Sequence, residues 1–300
     1  MGKKALVFGG QGSQFRGMGK KIYEKYPKVR RIYELASDVA GYNVAQMCFE
    51  GEQDTLNRTE YCQMCILAVE MSMYTILSEI DIHTDAVAGF SLGEYAALAA
   101  AQAISFKTVF ELVNVRGQLM EYEVDSNCGS MIAVINMDAK IVEKLCEEIG
   151  KENAAIANYN SYTQVVVSVS KDCVEEFKLL VKKLGGRTIV LRVNKPFHHM
   201  MMLPAANKFR DYVNNCVFKV PHLPVYLNTS GDTLSYSRAL YQELYEHIYK
   251  PVQWTRTVEN MILSGVDTFY EISPKPVLSK LIQEVVRHNA NVINVENILI

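Results

Sequence analysis

No run of apolar residues in this 300-residue chain approaches the ~20 that a membrane-spanning helix needs, and the most apolar stretch, 95–104, is too short. An excess of charge of either sign is also missing. Thirty-one Lys and Arg against 33 Asp and Glu leave a formal net charge of −2, so no polyanion-attracting field is present and a nucleic-acid binder is disfavoured. The opening Met1-Gly2-Lys3-Lys4-Ala5-Leu6 has too little apolar length for a signal peptide, and Leu6 stands where a myristoylation motif needs Ser or Thr. A disulfide framework is not suggested either. The seven cysteines are odd in number and lie mostly inside apolar helical runs, which points to reduced, buried thiols and a cytoplasmic protein.

Nucleotide and metal signatures are missing as well. After the first apolar run, Gly10-Gln11-Gly12 is followed by Phe15 where a dinucleotide fingerprint needs a third glycine, and no Gly-Lys-Ser/Thr occurs at Walker spacing. Adjacent His198 and His199 point apart, and Cys62 and Cys65 form a lone pair in an apolar helix, so no metal set is expected. What remains is an ordinary globular composition, 49% hydrophobic and 21% charged, with length for one large domain or two unequal ones.

Short apolar runs (4–8, 86–89) alternate with runs of helical period (106–120, 204–217), the pattern of an α/β core with parallel strands. The middle of the chain breaks that pattern. Strand 131–136, helix 139–149, strands 154–158 and 164–170, helix 173–184 and strand 187–193 form a β-α-β-β-α-β order, which is ferredoxin-like. The α/β pattern then resumes with a strand at 224–227, helices near 237–249 and 253–264, a strand at 268–272 and a helix at 277–287. The expected fold is an α/β-hydrolase-like large domain with a parallel sheet, formed by 1–128 and 198–300. A ferredoxin-like small domain, 129–197, is inserted into it.

Gly89-Phe90-Ser91-Leu92-Gly93 lies between an apolar strand and an Ala-rich helix. A serine on such a turn presents its hydroxyl outward at the positive end of the helix, where the N–H of Leu92 can meet developing negative charge. The plain alternative is a Ser N-cap. A serine nucleophile needs a base that titrates near neutrality. Of His83, His198, His199, His222, His247 and His288, the adjacent His198 and His199 fall where the small domain returns to the large one, and either fits. Arg116 shares a helical stripe with Val113 and Met120, so it needs either an internal carboxylate or a carboxylate-bearing ligand.

These segments together resemble the malonyl-CoA:acyl-carrier-protein transacylases and the related acyltransferases of polyketide synthesis. The resemblance is carried by Gly10-Gln11-Gly12-Ser13-Gln14, Gly89–Tyr95, Arg116-Gly117 with Met120, Asn158-Tyr159-Asn160-Ser161, Pro196-Phe197-His198, Asn228-Thr229-Ser230-Gly231 and Pro251-Val252-Gln253-Trp254. It implies that Ser91 is acylated, that His198 is the base, and that Gln11 and Leu92 supply the oxyanion-hole N–H groups. Arg116 would clamp a malonyl carboxylate, and Gln253 would orient His198 through its backbone carbonyl. Gln63, Phe90, Asn160 and Phe197 would lie at the substrate.

The implied reaction moves malonyl from malonyl-CoA to the phosphopantetheine thiol of an acyl carrier protein, for fatty-acid or polyketide synthesis, with no metal or organic cofactor. An acyl hydrolase and a non-catalytic carrier-binding scaffold are the alternatives. A monomer is expected, and Lys182, Lys183, Arg187, Arg192 and Lys195 form a candidate surface for an acidic carrier. Two departures stand out. Phe90 occupies a position usually held by His, and 271–276 lacks the usual Gly-Pro-Gly turn, so an altered loop is expected there.

Overall fold

The computed structural model describes residues 2–80, 82–125, 128–193, 195–233, 237–287 and 289–300. Two sheets organise it. The first is parallel, with β7 (Val225–Tyr226), β2 (Ala86–Gly89), β1 (Lys3–Phe8), β8 (Val266–Ile272) and β9 (Asn291–Asn294) side by side in that order. β1 is buried on both faces, as a central parallel strand must be. Ala5 and Val7 pack into a cluster with Trp254 and Leu278, while Leu6 and Phe8 point into the larger core with the helix Thr59–Leu77.

Register places the site. Phe8 is level with Gly89 on one side and Ile272 on the other, so three loops leave the carboxyl ends of these strands together. In open α/β sheets that is where ligands bind.

The second sheet is antiparallel, ordered β4 (Ala154–Ser161), β5 (Gln164–Ser170), β3 (Gly129–Ile135), β6 (Arg187–Val190), with the helices Ala139–Ile149 and Val174–Lys183 in the ferredoxin-like sequence of elements. Alternation divides its faces. Ile132, Val134, Val165 and Val167 pack with Phe177 and Val181 beneath those helices, while Met131, Ala133 and Val166 join the large core. Val252 ties the sheets together: its N–H donates to the Ala157 carbonyl at 2.8 Å, and its carbonyl accepts from Tyr159 N–H at 2.9 Å.

Three expectations need adjustment. β4 continues through Asn160 and Ser161, so the turn falls at 162–163, and β6 stops at Val190. The strand β9 was not anticipated. Its four residues begin and end with Asn, and its pairing with β8 replaces the missing propensity. In the altered 271–276 loop, the Glu271 carboxylate accepts from the N–H groups of Val277, Leu278 and Ser279, capping the helix Leu278–Val286. Among the described residues no helix is long and apolar enough to cross a membrane.

Candidate active site

Ser91 follows β2 and heads the helix Gly93–Ala100 with φ +51°, a left-handed conformation that L-residues adopt only when held there. Two glycines permit the turn. A Cβ on Gly89 would lie 1.9 Å from the Gly93 carbonyl carbon, and one on Gly93 would lie 2.2 Å from the Gly9 carbonyl oxygen. Asn228, just past β7, locks the elbow: its Oδ1 accepts from Ser91 N–H at 2.8 Å, and its Nδ2 donates to the Gly89 carbonyl at 2.7 Å. Asn228 stood inside a recognised motif, but nothing in its sequence context announced this brace across the sheet.

Ser91 Oγ is 2.9 Å from His198 Nε2. His198 Nδ1 is 2.8 Å from the His247 carbonyl. A carbonyl only accepts, so Nδ1 carries the proton and Nε2 presents its lone pair to the serine hydroxyl. The neighbouring His199 turns away, with Nε2 on the Lys151 carbonyl at 3.0 Å and Nδ1 accepting from Met201 N–H. His83 is exposed beside Asp85. His288 lies outside the described residues.

Gln253 does not orient His198. Its carbonyl accepts from Thr257 N–H at 2.9 Å in the first turn of the helix Trp254–Leu263, where that oxygen is committed to the helix ladder. The acceptor is instead the carbonyl of His247, at the end of the helix Ala239–Glu246. The last carbonyls of a helix have no partner within it, so this oxygen is free. The only sequence signal for such an acceptor is the place where a helix stops.

Arg116 is fully buried. Its Nη2 is 3.3 Å from Ser91 Oγ, and its guanidinium lies over the Tyr95 ring at 5.3 Å. Among the described residues no carboxylate comes within ion-pair distance of it, and its Nε and Nη1 have no acceptor. Burial lowers the guanidinium's affinity for its proton. A charge in that position is costly unless an anion arrives.

Burial, with Arg116 adding repulsion, pushes the His198 imidazole from 6.5 down to about 3. A base is active when neutral, so a lowered value extends activity toward acid. With His198 as the base, the acid limb of kcat/KM, which reports free-enzyme groups, should therefore lie well below the ordinary histidine range. An inflection near 6.5 in that profile would contradict this environment.

A cavity of about 470 Å³ opens over the pair. Gln11, Gln63, Phe90, Leu92, Asn160 and Phe197 all line it, with Ser91 and His198 at its floor. Gln11 Nε2, Gln63 Oε1 and Asn160 Oδ1 are buried without partners among the described residues, a donor and two acceptors open to a polar ligand. Gln63 Nε2 meets Met120 Sδ at 3.6 Å. The backbone N–H groups of Gln11 and Leu92 also have no acceptor among the described residues. Phe90 packs edge-on against Trp254 at 5.5 Å, leaving an apolar wall beside the serine.

The chain matches the acyl transferase domain family over residues 5–299. It belongs to that family. This acyl transferase is 36% identical over 290 residues to the malonyl CoA-acyl carrier protein transacylase of Bacillus subtilis, covering 96% of this chain and 92% of that one. It is 34% identical to the Escherichia coli K12 protein of the same name, covering 94% and 92%. Among solved structures, an acyl carrier protein S-malonyltransferase from Vibrio cholerae superposes with a TM-score of 0.93 at 33% identity, covering 97% and 96%. A malonyl-transacylase in complex with a type II polyketide synthase acyl-carrier protein gives 0.93 at 33%, covering 97% and 94%.

The basic series is dispersed in this acyl transferase. Lys195 is 2% exposed and donates its ammonium to the Val124 carbonyl, so it is not a surface cation. Lys182 and Lys183 are exposed on the Val174–Lys183 helix, which covers the sheet face opposite the cavity. Arg187 is exposed at the start of the edge strand β6. Arg192 stands exposed between the cavity-lining Leu191 and Val193, and Lys280 lines the cavity from the Leu278–Val286 helix.

Proposed function

We propose that this acyl transferase carries a malonyl group from malonyl-CoA, through an ester on Ser91, to the phosphopantetheine thiol of an acyl carrier protein. Arg116 carries this reading: a fully buried cation 3.3 Å from the serine oxygen, with no carboxylate among the described residues within ion-pair distance of it. A malonyl carboxylate satisfies it; a simple acyl chain does not.

In the first half-reaction His198 Nε2 accepts the Ser91 proton as Oγ attacks the thioester carbonyl. The N–H groups of Gln11 and Leu92 receive the oxyanion. The tetrahedral species collapses, and CoA departs as a thiol with the proton from Nε2. The carrier thiol enters next, and the steps run in reverse. Both ends are thioesters, so the exchange is nearly isoenergetic and calls on no cofactor. Residues 1–128 and 198–300 form the catalytic unit in this scheme, with 129–197 roofing the cleft. Seven free thiols accord with a reducing, cytoplasmic setting.

The test is the fate of the acyl group. Protein loaded with malonyl-CoA and mixed with holo acyl carrier protein should lose its malonyl adduct as the carrier gains it. Release of free malonate at the same rate with or without carrier would overturn the reading in favour of a hydrolase.

An acidic carrier meets the cleft at Arg192 and Lys280, which flank the cavity, and not at Lys182 or Lys183 on the outer helix. Arg192→Glu should raise KM for the carrier about tenfold at low salt, with the effect fading as salt rises. Lys182→Glu should leave it unchanged. Steady-state assays at two salt concentrations decide between the two faces.

A further inference from the structure

Behind the Ser91–His198 pair lies an imidazole that the transfer scheme leaves unused. The His247 ring is fully buried, 5.3 Å from the His198 ring at 28° and 6.4 Å from the Tyr95 ring at 17°. Its Nδ1 is 3.2 Å from Glu94 Oε2, and Glu94 is itself fully buried in the first turn of the helix that Ser91 heads. The pair thus links the nucleophile's helix to the residue whose carbonyl anchors the base. Around it stand Arg116 from the helix Phe106–Tyr122, Tyr95 beside Glu94, His198, and Glu243 one turn before His247. Thr229 already satisfies both oxygens of Glu243. Asn228 and Glu243 also face Glu94, and among the described residues the His247 ring is the one basic group within ion-pair distance of its carboxyl, in a contact not aligned as a hydrogen bond.

We propose that Glu94 and His247 are positioning residues for His198, through a close buried contact that holds the His247 carbonyl on Nδ1 and fixes the aim of Nε2 at Ser91. Burial pushes the Glu94 carboxyl up and the His247 imidazole down, favouring the neutral form of each. That neutrality matters. When His198 takes the serine proton it becomes a cation stacked on His247, with Arg116 already close; a second cation at 247 would oppose it.

The inference rests on His198 acting as the base for Ser91, so the same assay must test both. Pre-steady-state CoA release by the full-length protein is followed together with KM for malonyl-CoA and the melting temperature. Glu94→Leu and His247→Leu, which keep volume and remove the polar contact, should slow the burst about ten- to a hundredfold at unchanged KM, the usual cost of losing a partner one residue removed from the reacting group. Glu94→Gln and His247→Gln preserve a neutral hydrogen-bonding side chain and should recover to within about threefold of the parent.

Leu variants as fast as the parent overturn the proposal. Gln variants as slow as the Leu variants overturn it too, because the contact would then not be what matters. If a Leu variant does not fold, the two Gln variants still decide, since each must stay within that range. A parent protein with no burst at all would instead reject the Ser91 reading itself.

Discussion

Ser91→Ala is expected to yield no covalent malonyl adduct by intact-protein mass spectrometry, and His198→Ala to slow adduct formation by about 10⁴- to 10⁶-fold. The Ser91 oxygen is the only protein atom in the scheme that bonds to the acyl carbon. Without Nε2, 2.9 Å from Oγ, its proton has no acceptor matched to the task. The double variant should form no adduct either, because the acceptor oxygen is gone. A malonyl adduct persisting on Ser91→Ala protein would place the nucleophile elsewhere.

Arg116→Ala should cost malonyl transfer about 2–5 kcal/mol more than acetyl transfer, roughly 30- to 5,000-fold in relative kcat/KM. The argument is one of desolvation. A malonyl carboxylate entering this cavity gives up water, and the guanidinium at 3.3 Å from Ser91 Oγ is what receives it. With Ala at 116 the carboxylate is left buried and unpaired, whereas an acetyl group has nothing to lose. Arg116→Lys keeps the charge without the planar fork and should fall between the two. Equal losses for malonyl-CoA and acetyl-CoA would reject the clamp.

Removing this cation should also show in stability. With no carboxylate among the described residues within ion-pair distance of it, Arg116→Met, which fills similar space without charge, should unfold at a higher temperature while losing malonyl selectivity. Thermal unfolding with and without malonyl-CoA measures both sides of that exchange.

The elbow was legible because its requirements are local: two glycines flanking a serine between a strand and a helix. The inserted β-α-β-β-α-β unit was legible because its hydrophobic period switches between two and 3.6 within about sixty residues. The candidate base was narrowed by sequence position to two adjacent histidines and by family resemblance to His198. The structure adds that His199 bonds to the Lys151 carbonyl, away from the serine.

The anchor of the base was not legible, and Gln253 was the wrong residue for it. A backbone carbonyl belongs to every residue type, so no side-chain pattern marks the one that meets His198; only the packing of the end of the Ala239–Glu246 helix does. Lys195 failed as a surface cation for a related reason. Charge is a property of the residue, but exposure is set by the chain folded over it, here by the Val124 carbonyl.

The sequence by itself determined the alternation of elements, the strained serine turn and the presence of a cation on an apolar helical stripe, because each follows from spacing along a single segment. Only the tertiary structure decided which carbonyl holds the imidazole, that Glu94 meets His247, and which basic residues remain at the mouth of the cleft. Those contacts join residues tens to hundreds of positions apart, and the parallel sheet brings them together by aligning the carboxyl ends of its strands.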